Sequence, residues 1–264
     1  MITIALTTFN RSDIVGRAVD SALNFAAMID GKVVLADDGS TDQTEATIRR
    51  DFPRALSDGT LSYVRHETNL GVTAAKNTAF IHSPAGWVIF LDSDDELISE
   101  SAPEVARILV EHKNTALVFF RCVDETGAAV GRQFKEAQQL TLRRYLSNTS
   151  YGEALTAINK TISPSLPYDS DLRGYEGLGC ARLIERFGPA LLSTVVVRRY
   201  DRTRNDRLSG FIGVLKRSDL LARGHRRYLA LYKNKMLKGT RATLQIKSLV
   251  YSVAAGLFGR WMSK

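Results

Sequence analysis

Over roughly its first hundred residues the chain alternates short β-branched runs with stretches of helical period, and this constrains its fold more than any other feature. Ile2 to Thr8, Lys32 to Ala36, Leu61 to His66 and Trp87 to Leu91 read as strands. Between the first two, Ile14, Val15, Ala18, Val19, Ala22 and Leu23 fall on one face of a helix, with Ser12 as its expected N-cap. Thr41 or Asp42 can cap a second helix that ends near Phe52-Pro53, and Val72 to Ile81 reads as a third. Strands separated by helices pair in parallel, because each helix returns the chain to the same end of the sheet before covering it. The expected class is therefore α/β, a mostly parallel Rossmann-like sheet flanked by helices. Ligands of such sheets bind outside the carboxyl ends of the strands, and each strand here stops at a polar loop.

Beyond these elements, a helix from Ser101 to His112, a strand from Ala116 to Val123 and a hairpin turn at Asp124-Glu125-Thr126-Gly127 are expected. No internal repeat and no low-complexity linker interrupts the chain. A length of 264 residues falls short of two average domains, and 44% hydrophobic with 24% charged residues excludes collagenous, mucin-like or mostly disordered material. Only two cysteines occur, Cys122 and Cys180. They are expected to be reduced, buried thiols of a reducing compartment. No apolar stretch reaches the ~20 residues of a spanning helix, and the chain begins directly with a strand, so secretion and a membrane span are not expected.

Two strand ends carry carboxylates. Lys32 to Ala36 runs into Asp37-Asp38-Gly39-Ser40-Thr41-Asp42, a composition that also suits a tight turn and helix cap. Trp87 to Leu91 runs into Asp92-Ser93-Asp94-Asp95-Glu96, four carboxylates in five residues. Like charges at this density call for a cation, and oxygen ligands of this kind suit Mg²⁺ or Mn²⁺ bound together with substrate phosphates. A third loop, Asn69-Leu70-Gly71 followed by Ala75-Lys76-Asn77, places a cation and amides at a helix start that could face a phosphate.

Taken in order, Thr7-Thr8-Phe9-Asn10-Arg11, Ala36-Asp37-Asp38-Gly39-Ser40-Thr41-Asp42, Asn69-Leu70-Gly71 with Ala75-Lys76-Asn77, and Leu91-Asp92-Ser93-Asp94-Asp95 resemble the successive motifs of the family 2 glycosyltransferases. The resemblance is strong over residues 1 to 100, weak to about Ser209 and absent over 210 to 264. It implies a GT-A fold, a nucleotide-diphosphate sugar donor (a UDP-sugar by the same resemblance), a divalent metal (Mn²⁺ or Mg²⁺), and inversion at the anomeric carbon. It divides the chain into a nucleotide-sugar half (1–100), an acceptor half of the same catalytic domain (101–209) and a basic helical extension (210–264). Thr8, Asn10, Asp38, Lys76 and Asp92 are implied on the nucleotide, with Thr8 lining base and ribose, Asp38 accepting from a uracil ring and Asp92 near ribose or phosphate. Asp94 is implied on the metal. Lys76 stands where the family usually carries Arg, which keeps the charge but not a bidentate contact.

Inverting transfer also needs a carboxylate to take the acceptor's proton, a contribution typically worth 10²- to 10⁴-fold. The family's base is commonly the Asp of a Gly-Glu-Asp stretch at a helix start. Gly174-Tyr175-Glu176 is the best match, placing Glu176 at that position, with Asp169 and Asp171 in reserve. Arg198, Arg199, Arg202 and Arg204 follow the apolar run Leu191 to Val197; Arg202 or Arg204 is the diphosphate candidate and most of the cluster is expected at the surface.

Charge divides sharply after Ala181. Residues 1 to 181 hold 17 Lys or Arg against 24 Asp or Glu, a balance of −7, whereas 182 to 264 hold 19 against 4, a balance of +15. Near the C-terminus Ile246, Leu249, Val250, Val253, Ala254, Leu257, Phe258 and Trp261 form an apolar stripe at helical spacing. A basic, amphipathic tail suits an anionic membrane surface, and docking of the same stripe onto the protein's own core is its competitor. The combined expectation is a cytoplasmic enzyme, peripheral on the inner face of the cell membrane, acting on a glycan or polyprenyl-diphosphate-linked acceptor, with no nucleic-acid partner. A non-catalytic GT-A relative that binds a membrane surface or nucleic acid is the alternative. A phosphoacceptor receiver domain is excluded, because its acidic pair follows the first strand, which here ends in Thr7-Thr8-Phe9-Asn10. His66, His82, His112 and His225 lack metal-ligand spacing.

Overall fold

The computed structural model describes residues 1–132, 134–147, 153–200, 214 and 217–262. Nine strands form one sheet: β1 (Ile2–Thr8), β2 (Lys32–Asp37), β3 (Leu61–Arg65), β4 (Trp87–Asp92), β5 (Glu96–Leu97), β6 (Leu117–Asp124), β7 (Gln138–Leu140), β8 (Ala154–Asn159) and β9 (Ala190–Tyr200). Their order is β3-β2-β1-β4-β8-β6-β9-β5, with β7 paired to β9. The four strands expected from sequence lie together and parallel. Across β4 the sheet becomes mixed, since β8 runs antiparallel to β4 and β6, while β6 and β9 are parallel.

The alternation of side chains along these strands separates two apolar layers. Ile4, Leu6, Val33, Leu35, Ile89 and Leu91 face one way, under α1 (Val15–Ala27) and α5 (Ala102–Glu111). Ala5, Val34, Ala36, Val88 and Phe90 face the other, under α4 (Val72–His82) and α7 (Glu176–Phe187). With both faces covered, the strands read as nearly continuous apolar runs. Each fully buried Ile, Leu or Phe adds about 1.5–3 kcal/mol relative to exposure. The α4 side contributes Ala75 and Ala79 against Ala5 and Ala36, and these small residues bring α4 close to the sheet and its loop close to the strand ends.

Two capping expectations are corrected. The first helix begins at Val15 with Ile14 at the N-cap and no side-chain cap; Ser12 lies two residues further out, where its amide donates to Asp42 Oδ2 at 3.1 Å. The second helix, α2 (Thr44–Asp51), has Gln43 at its N-cap, and Asp42 Oδ1 accepts from the Thr44 amide at 2.9 Å from one residue further out. Short helices α3 (Pro53–Ser57) and α6 (Leu142–Ser147) complete the body. The turn at 124–127 is present, with the Gly127 amide donating to the Asp124 carbonyl. Cys122 and Cys180 are free and buried, and burial pushes the Cys180 thiol up to about 12.

The basic tail forms two helices, α8 (Ser218–Tyr232) and α9 (Lys238–Met262). Tyr232 of α8 joins Leu146, Leu172, Leu178 and Ala181 in a small core of its own against α6 and α7. Among the described residues no helix is long and apolar enough to cross a membrane.

Candidate active site

Parallel register brings three strand ends level, for Thr8 pairs with Asp37 and Thr7 with Asp92. The polar loops expected to carry chemistry therefore meet at one edge. Two contacts stitch the first pair together: Asn10, held at φ 51°, accepts the Thr41 amide at 2.8 Å, and its own amide donates to Ser40 Oγ at 2.8 Å. Asp37 is fully buried, its carboxylate accepting from the Ser40 amide and from Tyr63 Oη at 2.6 Å. Gly39 sits at φ +77°, where a Cβ would approach the Thr68 backbone to 2.7 Å, so this loop passes the next one with no room for a side chain.

Asp38 organises that next loop. Its carboxylate accepts the amides of Leu70 at 2.8 Å and Gly71 at 2.7 Å and lies 2.9 Å from His66 Nδ1, while His66 Nε2 reaches Thr78 Oγ1 at 2.8 Å. A carboxylate offers about four acceptor sites, so Asp38 keeps at most one for a ligand. His66 was not singled out by the sequence; its position directly after a strand that ends beside Asp37 is the signal that existed.

Lys76, in the second turn of α4, is buried, and its ammonium lies 3.0 Å from Asp92 Oδ1 and 3.1 Å from Glu176 Oε1. Burial disfavours its charge, but the two carboxylates outweigh burial and hold the ammonium above the ordinary lysine range. Burial likewise opposes ionisation of Asp92, yet Lys76 and then Arg198 hold it below the usual carboxylate range. Glu176 is the first residue of α7 and reaches this edge because Asn77, next to Lys76, clamps the segment ahead of it. Asn77 Nδ2 donates to the Tyr168 carbonyl at 2.8 Å, and its Oδ1 accepts the Tyr168 amide at 3.2 Å. The reserve carboxylates are engaged elsewhere, Asp169 with Arg182 at 2.7 Å and Asp171 with Arg227 at 2.8 Å.

The four carboxylates of the acidic loop after β4 are expected to need positive charge, and the protein's own side chains supply part of it. Three are matched by the protein's own side chains: Asp92 by Lys76, Asp95 by Arg198 at 2.9 Å, and Glu96 by Arg17 at 2.9 Å. Arg198 is 4% exposed, contrary to the surface placement expected for most of its cluster, whereas Arg199 is exposed. A charged residue ending an apolar strand run was the available sign. Arg202 and Arg204 lie outside the described residues.

Asp94 alone of the four has no ion pair among the described residues. Burial, and then the neighbouring Asp92 charge, push its carboxyl above the usual range. A cation beside it would relieve both, which suits a metal held by one carboxylate together with a ligand's phosphates. Among the described residues no group of three or more His, Cys, Asp or Glu is arranged to hold a metal by itself. Two buried hydroxyls at the same edge, Thr8 Oγ1 and Thr73 Oγ1 in the first turn of α4, have no hydrogen-bond partner among the described residues. Buried polar groups are almost always satisfied, so an orphan hydroxyl beside strand-end carboxylates marks where a polar ligand is expected.

The comparisons agree with this architecture. Residues 3–161 match the model described as Glycosyl transferase family 2. A Campylobacter jejuni protein named GalNAc(5)-diNAcBac-PP-undecaprenol beta-1,3-glucosyltransferase is 22% identical over 181 residues, 66% of this chain and 57% of its own. The chain spans about half the length, or less, of the first curated relatives it matches. Among solved structures, mannosyltransferase PcManGT from Pyrobaculum calidifontis, in complex with GDP-Man and Mn²⁺, superposes with TM-score 0.66 at 17% identity, covering 97% of this chain and 73% of that one. S. aureus TarS 1-349 in complex with UDP-GlcNAc gives TM-score 0.65 at 18% identity, covering 86% of this chain and 66% of that one. These structures establish the GT-A fold, and with the matched region running from β1 through β8 and taking in the loops after β1, β2, β3 and β4, the chain belongs to glycosyl transferase family 2.

Proposed function

We propose that this protein is an inverting glycosyltransferase that moves a sugar from a UDP-sugar to a glycan or polyprenyl-diphosphate-linked acceptor. One observation carries the reading: Lys76 joins Asp92, at the end of the donor-side strand β4, to Glu176, at the start of α7, on an edge that also holds the orphan hydroxyl of Thr8. Residues 1–100 would bind the nucleotide sugar and 101–209 the acceptor, with 210–264 as a membrane-facing extension. Thr8 and the one remaining acceptor site of Asp38 would meet base and ribose. Asn10 would shape that pocket through the loops it joins, and Asp92 would stand by the ribose or its phosphate.

An incoming diphosphate is an anion arriving beside Lys76, and it would exchange that ammonium away from Glu176. The freed carboxylate would then take the proton of the acceptor hydroxyl as its oxygen attacks the anomeric carbon and the bond to the diphosphate breaks, its electrons leaving with the nucleoside diphosphate. Arg202 or Arg204 would add positive charge near that leaving group. Mn²⁺ or Mg²⁺ held by Asp94 and the diphosphate would supply Lewis-acid neutralisation of the developing charge. Support comes from the relative whose name carries an undecaprenol-linked acceptor and from neighbours solved with UDP-GlcNAc and with GDP-Man and Mn²⁺. A lipid-linked acceptor would place the chain on the inner, cytoplasmic face of the cell membrane.

The test is a thermal-shift panel of UDP, GDP, dTDP and CDP sugars with and without Mn²⁺, followed by turnover on a polyprenyl-diphosphate glycan. A metal-requiring shift with UDP-sugars and transfer with inverted anomeric configuration is expected. No shift with any donor would overturn the reading in favour of a non-catalytic member of the family, and a shift confined to another nucleotide would overturn the assignment of UDP.

A further inference from the structure

The tail helix α9 is turned inside out for a helix of a soluble body. Ser248, Tyr251 and Ser252 lie on the side that meets α8. Ser248 is buried, Ser252 Oγ accepts from an Arg226 guanidinium nitrogen at 3.0 Å, and the Tyr251 ring lies 5.5 Å from that of His225. The opposite side carries Ile246, Leu249, Val250, Val253 and Leu257, all 55–66% exposed. Their spacing makes one stripe, and in a soluble domain such a stripe faces the core. Self-docking, the competing expectation, is therefore not what these five residues do; of the rest of the expected stripe Ala254 is half-buried, and the side chains of Phe258 and Trp261 lie outside the described residues. The side turned toward α8 presents Ser248, Tyr251 and Ser252 instead.

Charge says what covers the stripe. From residue 220 to the C-terminus there are ten Lys or Arg and no Asp or Glu. Lys238, Arg241 and Lys247 are exposed on α9 itself. Arg223, Arg227 and Lys235 pair with Asp219, Asp171 and Glu185, which leaves the exposed Lys238, Arg241 and Lys247 of α9 without an ion pair among the described residues, and a second copy would bring those charges face to face. A nucleic acid would match the charge but offers nothing to five aliphatic side chains in a row. A bilayer surface rich in anionic lipid matches both at once, headgroups to the basic flanks and acyl chains to the stripe. The helix is too polar to span, so it would lie in the plane of the interface.

We propose that the outward face of α9, centred on Leu249 and Val253, is the surface by which this protein seats in an anionic lipid interface, and that α8 fixes the candidate site relative to it. α8 reaches that site directly. A Cβ on Gly224 would approach the Tyr175 ring to 2.7 Å, and the same ring sits 5.5 Å from His225 and 6.1 Å from Tyr228. Tyr175 is the residue before Glu176, so the helix that would rest on lipid, α9, is linked to the carboxylate proposed as base through Tyr251, His225 of α8 and Tyr175 in turn. This orientation rests on the acceptor reading given above, whereas the lipid surface does not.

The experiment is flotation of the full chain with vesicles of phosphatidylcholine alone and with phosphatidylglycerol, read alongside light scattering and the donor-dependent thermal shift. Binding is expected only with phosphatidylglycerol. Leu249→Asp with Val253→Asp should weaken it about tenfold or more, and Lys238→Gln with Lys247→Gln should weaken it and reduce its salt dependence. These side chains are exposed, so the melting temperature should hold, and a variant that melts early is replaced by Leu249→Ser with Val253→Ser. Failure to float, equal binding by the Asp pair, conversion of a dimer to a monomer by that pair, or tighter capture by an oligonucleotide would each overturn the proposal. An intact donor-dependent shift in a protein that does not float would locate the failure in the lipid surface and leave the transferase reading standing.

Discussion

Lys76 Nζ lies 3.1 Å from Glu176 Oε1, and the two residues are a hundred positions apart in the chain. The contact spans the helix over the parallel half of the sheet and the helix over the mixed half, and the same ammonium also reaches Asp92. One cation thus ties the proposed donor and base carboxylates into a single unit, and the first predictions concern its members.

Glu176→Gln keeps shape and hydrogen bonding but cannot accept a proton. Turnover should fall about 10²-fold or more while donor affinity stays within severalfold, as steady-state kinetics beside calorimetric titration of the donor would show. Undiminished turnover would remove Glu176 from the role of base.

Lys76→Met leaves Asp92 and Glu176 facing each other without their cation. Because Asp92 is 38% and Glu176 27% exposed, solvent absorbs part of the cost. A loss of roughly 1–3 kcal/mol is expected in urea unfolding, with a raised KM for the donor. Lys76→Arg should restore most of both.

The pH dependence of that loss follows from the two shifts. Asp92 is held below its ordinary value of 3.8, so its contribution is complete above that value and is lost as pH falls through the folded-state value. Lys76 is held above its ordinary value of 10.5, so its contribution is complete below that value and is lost as pH rises through the folded-state value. The stability difference between the native chain and Lys76→Met should therefore be flat from about pH 5 to 9 and shrink below about pH 4.

Asp94 behaves in the opposite sense, since burial and Asp92 raise its carboxyl and its ionised form costs stability at neutral pH. Asp94→Asn should raise the melting temperature of the ligand-free protein by about 1–2 °C and abolish the further rise produced by Mn²⁺ with donor. A variant that still responds to Mn²⁺ would take Asp94 out of the proposed metal site.

Asp38→Ala would strand the amides of Leu70 and Gly71. Each stranded buried donor costs about 1–3 kcal/mol, so chemical denaturation should show a loss of roughly 2 kcal/mol or more, together with weaker donor binding as the loop relaxes.

What was legible in the sequence follows from local physics. The strands β1 to β4 were evident within a residue or so; β1, β2 and β4 are buried on both faces and so largely apolar until the chain turns polar, whereas β3 is the partly exposed edge strand. The motif loops were legible as the polar stretches that follow those strands. The two caps were misplaced by local reasoning because Ser12 and Asp42, thirty residues apart, satisfy each other's neighbourhood across two strands. The side-chain countercharges of the acidic loop were hidden similarly: they come from Arg17, Lys76 and Arg198, none of them a neighbour along the chain.

The sequence alone determined the apolar periods, the strand-end carboxylates and the separation of acidic body from basic tail, since each depends only on residues that are neighbours along the chain. Tertiary structure decided which carboxylates are neutralised from within, that Arg198 is buried, that Asp38 holds a loop and that the tail's apolar stripe faces outward. Ion pairing and burial depend on distance and on exclusion of water, and those are set when the sheet and its helices close around one another.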